Sequence, residues 1–118
     1  MILLLVACVT PIEPPAEATP AAQAATAKRC AELPTVSWDA WGAGFFRTYC
    51  TACHSSANTT QRSGAPVGID FDTEAAVHAH AADVRRVVLE AGTMPVGGGV
   101  YRDDLVLLEV YLACGTAP

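Results

Sequence analysis

The stretch SWDAWGAGFFRTYCTACH, residues 37–54, decides how this 118-residue chain is read. Ser37 is a natural N-cap, and Trp38, Trp41, Phe45 and Tyr49 follow it at helical spacing. The pattern predicts a helix over about 38–53. Gly42 and Gly44 lie inside it, each costing up to about 1 kcal/mol against alanine. A glycine kept at that cost points to a neighbour packed very close. The helix leads into Cys50-Thr51-Ala52-Cys53-His54, where helical spacing sets the two sulfurs about one turn apart on the same side.

Two thiols so placed reach the two vinyl groups along one edge of a haem and form thioethers, and the adjacent histidine comes under the iron as an axial ligand. A zinc ribbon would need a second ligand pair at metal spacing, whereas Cys30 and Cys114 stand alone. A thioredoxin-like redox pair would belong to a βαβ pattern, and no segment alternates with period two. Met94, forty residues beyond His54 in a Gly-Thr-Met-Pro turn, is the only methionine outside the leader. Its thioether is a soft ligand for the second axial position, and His/Met ligation raises the potential.

The rest of the chain is helix and loop. Residues 55–71 (SSANTTQRSGAPVGIDF) form a long loop of the kind that is functional or wraps around something. Asp72 or Thr73 caps a second helix carrying the apolar stripe Val77, Ala81, Val84, Val88 and Ala91, which Gly92 stops. Gly97-Gly98-Gly99 follows Met94. Asp103 or Asp104 opens a last helix with Leu105, Leu108, Tyr111 and Leu112 on one face, ending at Gly115. The class is all-α.

Composition narrows the function. Seven Lys and Arg against twelve Asp and Glu give a net charge of −5, and no basic stripe exists to neutralise phosphates, so nucleic acid is excluded as a partner. The positive mean hydropathy owes much to 22 alanines. No stretch approaches the roughly 20 apolar residues of a membrane span. Residues 1–8 form an apolar leader ending in Leu5-Val6-Ala7-Cys8, which resembles the lipobox of bacterial lipoproteins, with Cys8 as the lipidated residue. Residues 9–27, rich in Ala and Pro, read as an extended linker whose prolines oppose helix. This leaves 28–118 as one small domain, near the size at which a core needs a staple or cofactor.

Together these features resemble a small bacterial monohaem cytochrome c of the His/Met type, over about residues 38–115. In that family a glycine and an aromatic precede the first haem cysteine by eight and four residues, as Gly42 and Phe46 do here. The last helix carries Leu-x-x-aromatic-Leu, matched by Leu108, Tyr111 and Leu112. A proline twelve residues past the histidine, here Pro66, lends its carbonyl to the ring's Nδ1–H.

The resemblance implies three main helices wrapped around one haem c. Cys50 and Cys53 bind it covalently, and His54 and Met94 are its axial ligands. Because the first and last helices cross in this fold, the resemblance also implies a Cys30–Cys114 disulfide. His78 and His80, about 200° apart on their helix, are expected in solvent; Arg85, Arg86, Tyr101 and Arg102 are candidates for the haem propionates. The expected function is electron transfer between respiratory-chain partners, without enzyme activity, in a domain lipid-anchored on the periplasmic side of a bacterial membrane. The glycine run beside Met94 keeps a second reading: a haem-based gas sensor or peroxidase with a displaceable methionine.

Overall fold

A computed structural model describes residues 19–115. The leader, Cys8 and the linker up to residue 18 lie outside the described residues. Within them the chain is all-α, in the order α1 (Pro20–Glu32), α2 (Ala43–Tyr49), α3 (Glu74–Ala79), α4 (Ala81–Val84) and α5 (Arg102–Cys114). Two segments are wound more loosely, as π-helix. Trp38–Gly42 leads into α2, and Arg85–Glu90 continues α4.

Helix α1 corrects the expectation of an extended linker through residue 27. Pro20 occupies the first helical turn, where its missing N–H costs nothing, and Thr19 caps the helix by accepting from the Ala22 N–H. The alanines that follow are the strongest helix formers. None of its residues is buried. What ties α1 to α5 covalently is the Cys30–Cys114 disulfide, with Cα atoms 5.3 Å apart.

The core is built where α5 crosses the approach to α2. Phe46, Val77, Leu108 and Tyr111 are its largest fully buried side chains. Gly42 makes the crossing possible: a Cβ there would stand 3.0 Å from Trp38 and 3.2 Å from the Tyr111 ring. Gly44, by contrast, has nothing within 4 Å and faces outward. Of the two helical glycines, one is thus explained by close approach.

The second expected helix is present but broken at His80, whose backbone (φ −114°, ψ 16°) interrupts the run between Ala79 and Ala81. Nothing local dictates this break, since alanine favours helix on both sides. Val77 and Val84 of the expected stripe are buried, and Gly92 follows the helix end with φ +63°, as a left-handed terminator does. In the last helix the expected capping role of Asp103 or Asp104 is corrected. Tyr101 holds the cap position without a side-chain bond, and Asp104 instead accepts from the Tyr49 hydroxyl at 2.8 Å.

Candidate functional site

Helix α2 stops at Tyr49, earlier than residue 53, because the Phe46 carbonyl accepts from both Cys50 N–H and Thr51 N–H and the winding loosens. One further turn follows, closed by His54 N–H donating to Cys50 C=O at 2.9 Å. Cys50 and Cys53 both carry free thiols. Burial pushes the Cys50 thiol up to about 12, the opposite of the depressed value a redox or nucleophilic cysteine needs.

His54 is held from behind. Its Nδ1 lies 2.8 Å from the Ile69 carbonyl. A carbonyl oxygen only accepts, so in the neutral ring Nδ1 carries the hydrogen and Nε2 keeps its lone pair. This corrects the assignment of Pro66 as the acceptor. The Pro66 carbonyl is already engaged by the Ile69 N–H at 3.3 Å and by Arg62 Nη2 at 2.8 Å. The turn thus brings Ile69, three residues later, to the histidine.

The loop behind His54 is tied together by side chains. Asp72 accepts from the Ser55 hydroxyl at 2.6 Å and from the Ser56 N–H at 2.7 Å. Those bonds, the Ser55 one foremost, hold its carboxyl below the ordinary carboxylate range. Thr73 is left to cap α3 through the Ala76 N–H. Asn58 bridges Ala52 C=O and Gln61 C=O, both through its Nδ2. Arg62 sits at the centre, its side chain only 9% exposed.

Facing this loop, the segment after Arg85–Glu90 hangs from one atom. The Val87 carbonyl accepts from Thr93 N–H at 2.8 Å, Met94 N–H at 3.1 Å and the Thr93 hydroxyl at 3.3 Å. A helix end leaves its last carbonyls without intrahelical partners, and here one of them positions the methionine. Met94 is 37% exposed and its peptide to Pro95 is cis.

The two sides meet at a cleft. A cavity of about 350 Å³ adjoins another of about 500 Å³, and Tyr49, Cys50, His54, Met94 and Pro95 line both. Ile69, Phe71, Val84, Val87 and Val88 give the first an apolar wall; Cys53 and Pro66 border the second. The cleft therefore brings together Cys50, Cys53, His54 and Met94. It presents two thiols, an imidazole and a thioether beside a largely apolar wall.

The remaining candidates divide. His80, expected in solvent, borders the first cavity edge-on to Phe71, their ring centroids 6.1 Å apart. His78 is also drawn inward: it lies beside the Tyr111 ring and 3.5 Å from Glu74, with Nε2 buried and making no hydrogen bond. Arg86 reaches the rim, paired with Asp83 at 2.9 Å, whereas Arg85 turns away to Glu109. Tyr101 and Arg102 are exposed and line neither cavity.

The expectation of a metal-binding group is corrected. Among the described residues no three or more His, Cys, Asp or Glu side chains come together to hold an ion. The donors are committed elsewhere: Cys30 and Cys114 to each other, Asp70 to Arg62, and Asp72 to Ser55 and Ser56. Sequence reasoning missed Ile69, Arg62 and the Val87 carbonyl. Only Arg62 left a signal, as the one basic residue of a Ser/Thr/Gly-rich loop. No helix among the described residues is long and apolar enough to cross a membrane. Comparison with protein-family models, with curated proteins and with solved structures finds no match for this chain.

Proposed function

We propose that this chain is a c-type cytochrome domain of the monohaem His/Met kind, an electron carrier and not an enzyme. The observation that carries the reading is the convergence of Cys50, Cys53 and His54 with Met94, forty residues beyond the histidine, on one cleft. Cys50 and Cys53 would hold the haem through thioethers, and His54 Nε2 and the Met94 sulfur would be the chain's donors to its iron. Bound haem c supplies a one-electron Fe(II)/Fe(III) couple.

The chain's own residues do the rest. Ile69, by engaging Nδ1–H, fixes the tautomer that leaves Nε2 its lone pair. Phe71, Val84 and Val88 keep water from the cleft. Val96 at the mouth and Val67 on the same loop as Pro66 are 82% and 89% exposed, an apolar rim suited to brief contact with redox partners of a respiratory chain. The lipobox-like segment at Cys8, outside the described residues, supports a lipid tether on the periplasmic side of a bacterial membrane.

The test is expression with and without a c-type maturation system, followed by mass and absorption spectra. Covalent gain of one haem, lost in Cys50→Ser and Cys53→Ser, with a methionine–iron charge-transfer band lost in Met94→Ala, is the expected result. An unmodified mass in the presence of the maturation system overturns it. The exposure of Met94 favours a second reading, a gas sensor or peroxidase with a displaceable methionine. Carbon monoxide binding by the ferrous protein without denaturant selects that reading, and resistance to it selects electron transfer.

A further inference from the structure

Arg62 is a buried cation with an unusual set of partners. Its Nε donates to Ala65 C=O at 3.1 Å, and Nη1 donates to Ser55 C=O and, at 3.2 Å, to Asn58 C=O. Nη2 serves Asp70 at 2.6 Å, Pro66 C=O at 2.8 Å and Ile69 C=O at 3.4 Å. A buried guanidinium is costly unless its donors are all engaged. Asp70 meets the charge, but a carboxylate alone would leave most of the fork unused. The other acceptors are all backbone carbonyls of the loop on which His54 depends.

We propose that Arg62 is the positioning residue for the His54 ring. It acts at three places. Through Ser55 C=O it grips the residue that follows the histidine. Through Pro66 C=O it occupies the carbonyl that would otherwise compete for Nδ1–H. Through Ile69 C=O it holds the oxygen to which Nδ1 is bonded, so the same acceptor serves both side chains. The planar fork is essential, because these carbonyls lie in different directions and lysine's single ammonium cannot reach them together. The role of the ring's free Nε2 rests on the function proposed above; the control of Nδ1 by Arg62 does not.

The experiment is solvent exchange of the His54 Nδ1–H in the chain as purified, divided by exchange of the buried Leu108 amide in the same sample. Arg62→Met is expected to raise this ratio at least tenfold, and Arg62→Lys to raise it less. Arg47→Met, at an exposed position away from the cleft, is expected to leave it unchanged. Equal acceleration of both protons means a general loss of stability and overturns the proposal, as does an unchanged ratio. Should Arg62→Met not fold, Arg62→Lys decides by the same ratio. Covalent haem is scored separately by mass, so failure of the cytochrome reading and failure of Arg62 as a positioning residue register in different measurements.

Discussion

The two walls of the cleft are made by opposite means. On the His54 side, side chains bind backbone: Arg62, Asn58 and Asp72 together fix most of the loop between His54 and α3. On the Met94 side the Thr93 hydroxyl is the one side chain that joins the backbone bonds, and a single carbonyl at Val87 accepts from both Thr93 and Met94. Gly92, Gly97, Gly98 and Gly99 all adopt positive φ around it, which frees the turn from side-chain constraint. One wall is specified by chemistry distributed over a loop, the other by where a helix happens to end. The difference teaches that His54 is held by many bonds and Met94 by few.

The largest effect is expected at neither wall. Converting Cys30 and Cys114 to serine opens a link between residues 84 apart and is expected to cost about 4–5 kcal/mol on the chain-entropy account. Chemical denaturation measures it, and amide exchange should show both walls weakened alike. Loosening of the Met94 side alone would break the comparison, by making the disulfide a part of that wall.

Next comes the base of the His54 wall. Gly42→Ala drives a methyl against Trp38 and Tyr111 and is expected to destabilise by about 1–3 kcal/mol, the usual range for overpacking. Gly44→Ala meets nothing and should stabilise by up to about 1 kcal/mol through helix propensity. Paired urea titrations of the two variants check the signs. Equal destabilisation would mean that the crossing at Gly42 is not the tight contact the geometry describes.

The smallest effects compare the walls directly. Asp72→Asn is expected to cost about 1 kcal/mol at neutral pH, allowing for solvent screening of an exposed carboxylate. Thr93→Val, which removes one hydroxyl bond to Val87, is expected to cost about 0.5 kcal/mol. They also differ with pH. The folded-state value of Asp72 is depressed, so its contribution is present above the unfolded value of about 3.9 and is lost as pH falls through the folded one. The Asp72→Asn deficit should therefore fade in acid, while the Thr93→Val deficit stays constant. Stability measured from pH 7 down to 2 tests this, and a pH-independent Asp72 deficit would remove the charge from the argument.

Some features were fixed locally and others were not. Residues 37–54 announce a capped, aromatic-rich helix leading to CTACH, because cap, periodicity and motif spacing are properties of neighbours in sequence. The stop at Gly92 and the buried face of α5 were readable for the same reason. Residues 20–27 misled because two opposing signals coincide there. Proline opposes helix in an interior but favours it at the first turn, and nothing in the chain order says which applies.

What the sequence by itself determined was the helical class, the thiol pair with its histidine and the candidate methionine, since each rests on residue type and short spacing. Only the tertiary structure decided that Ile69 rather than Pro66 engages His54, that Arg62 is buried among loop carbonyls, and that the helix breaks at His80. The reason is physical. A carbonyl is present at every residue and carries no side-chain signature, so which one accepts a given hydrogen bond depends on where the folded loop brings it and on which donors have already been satisfied.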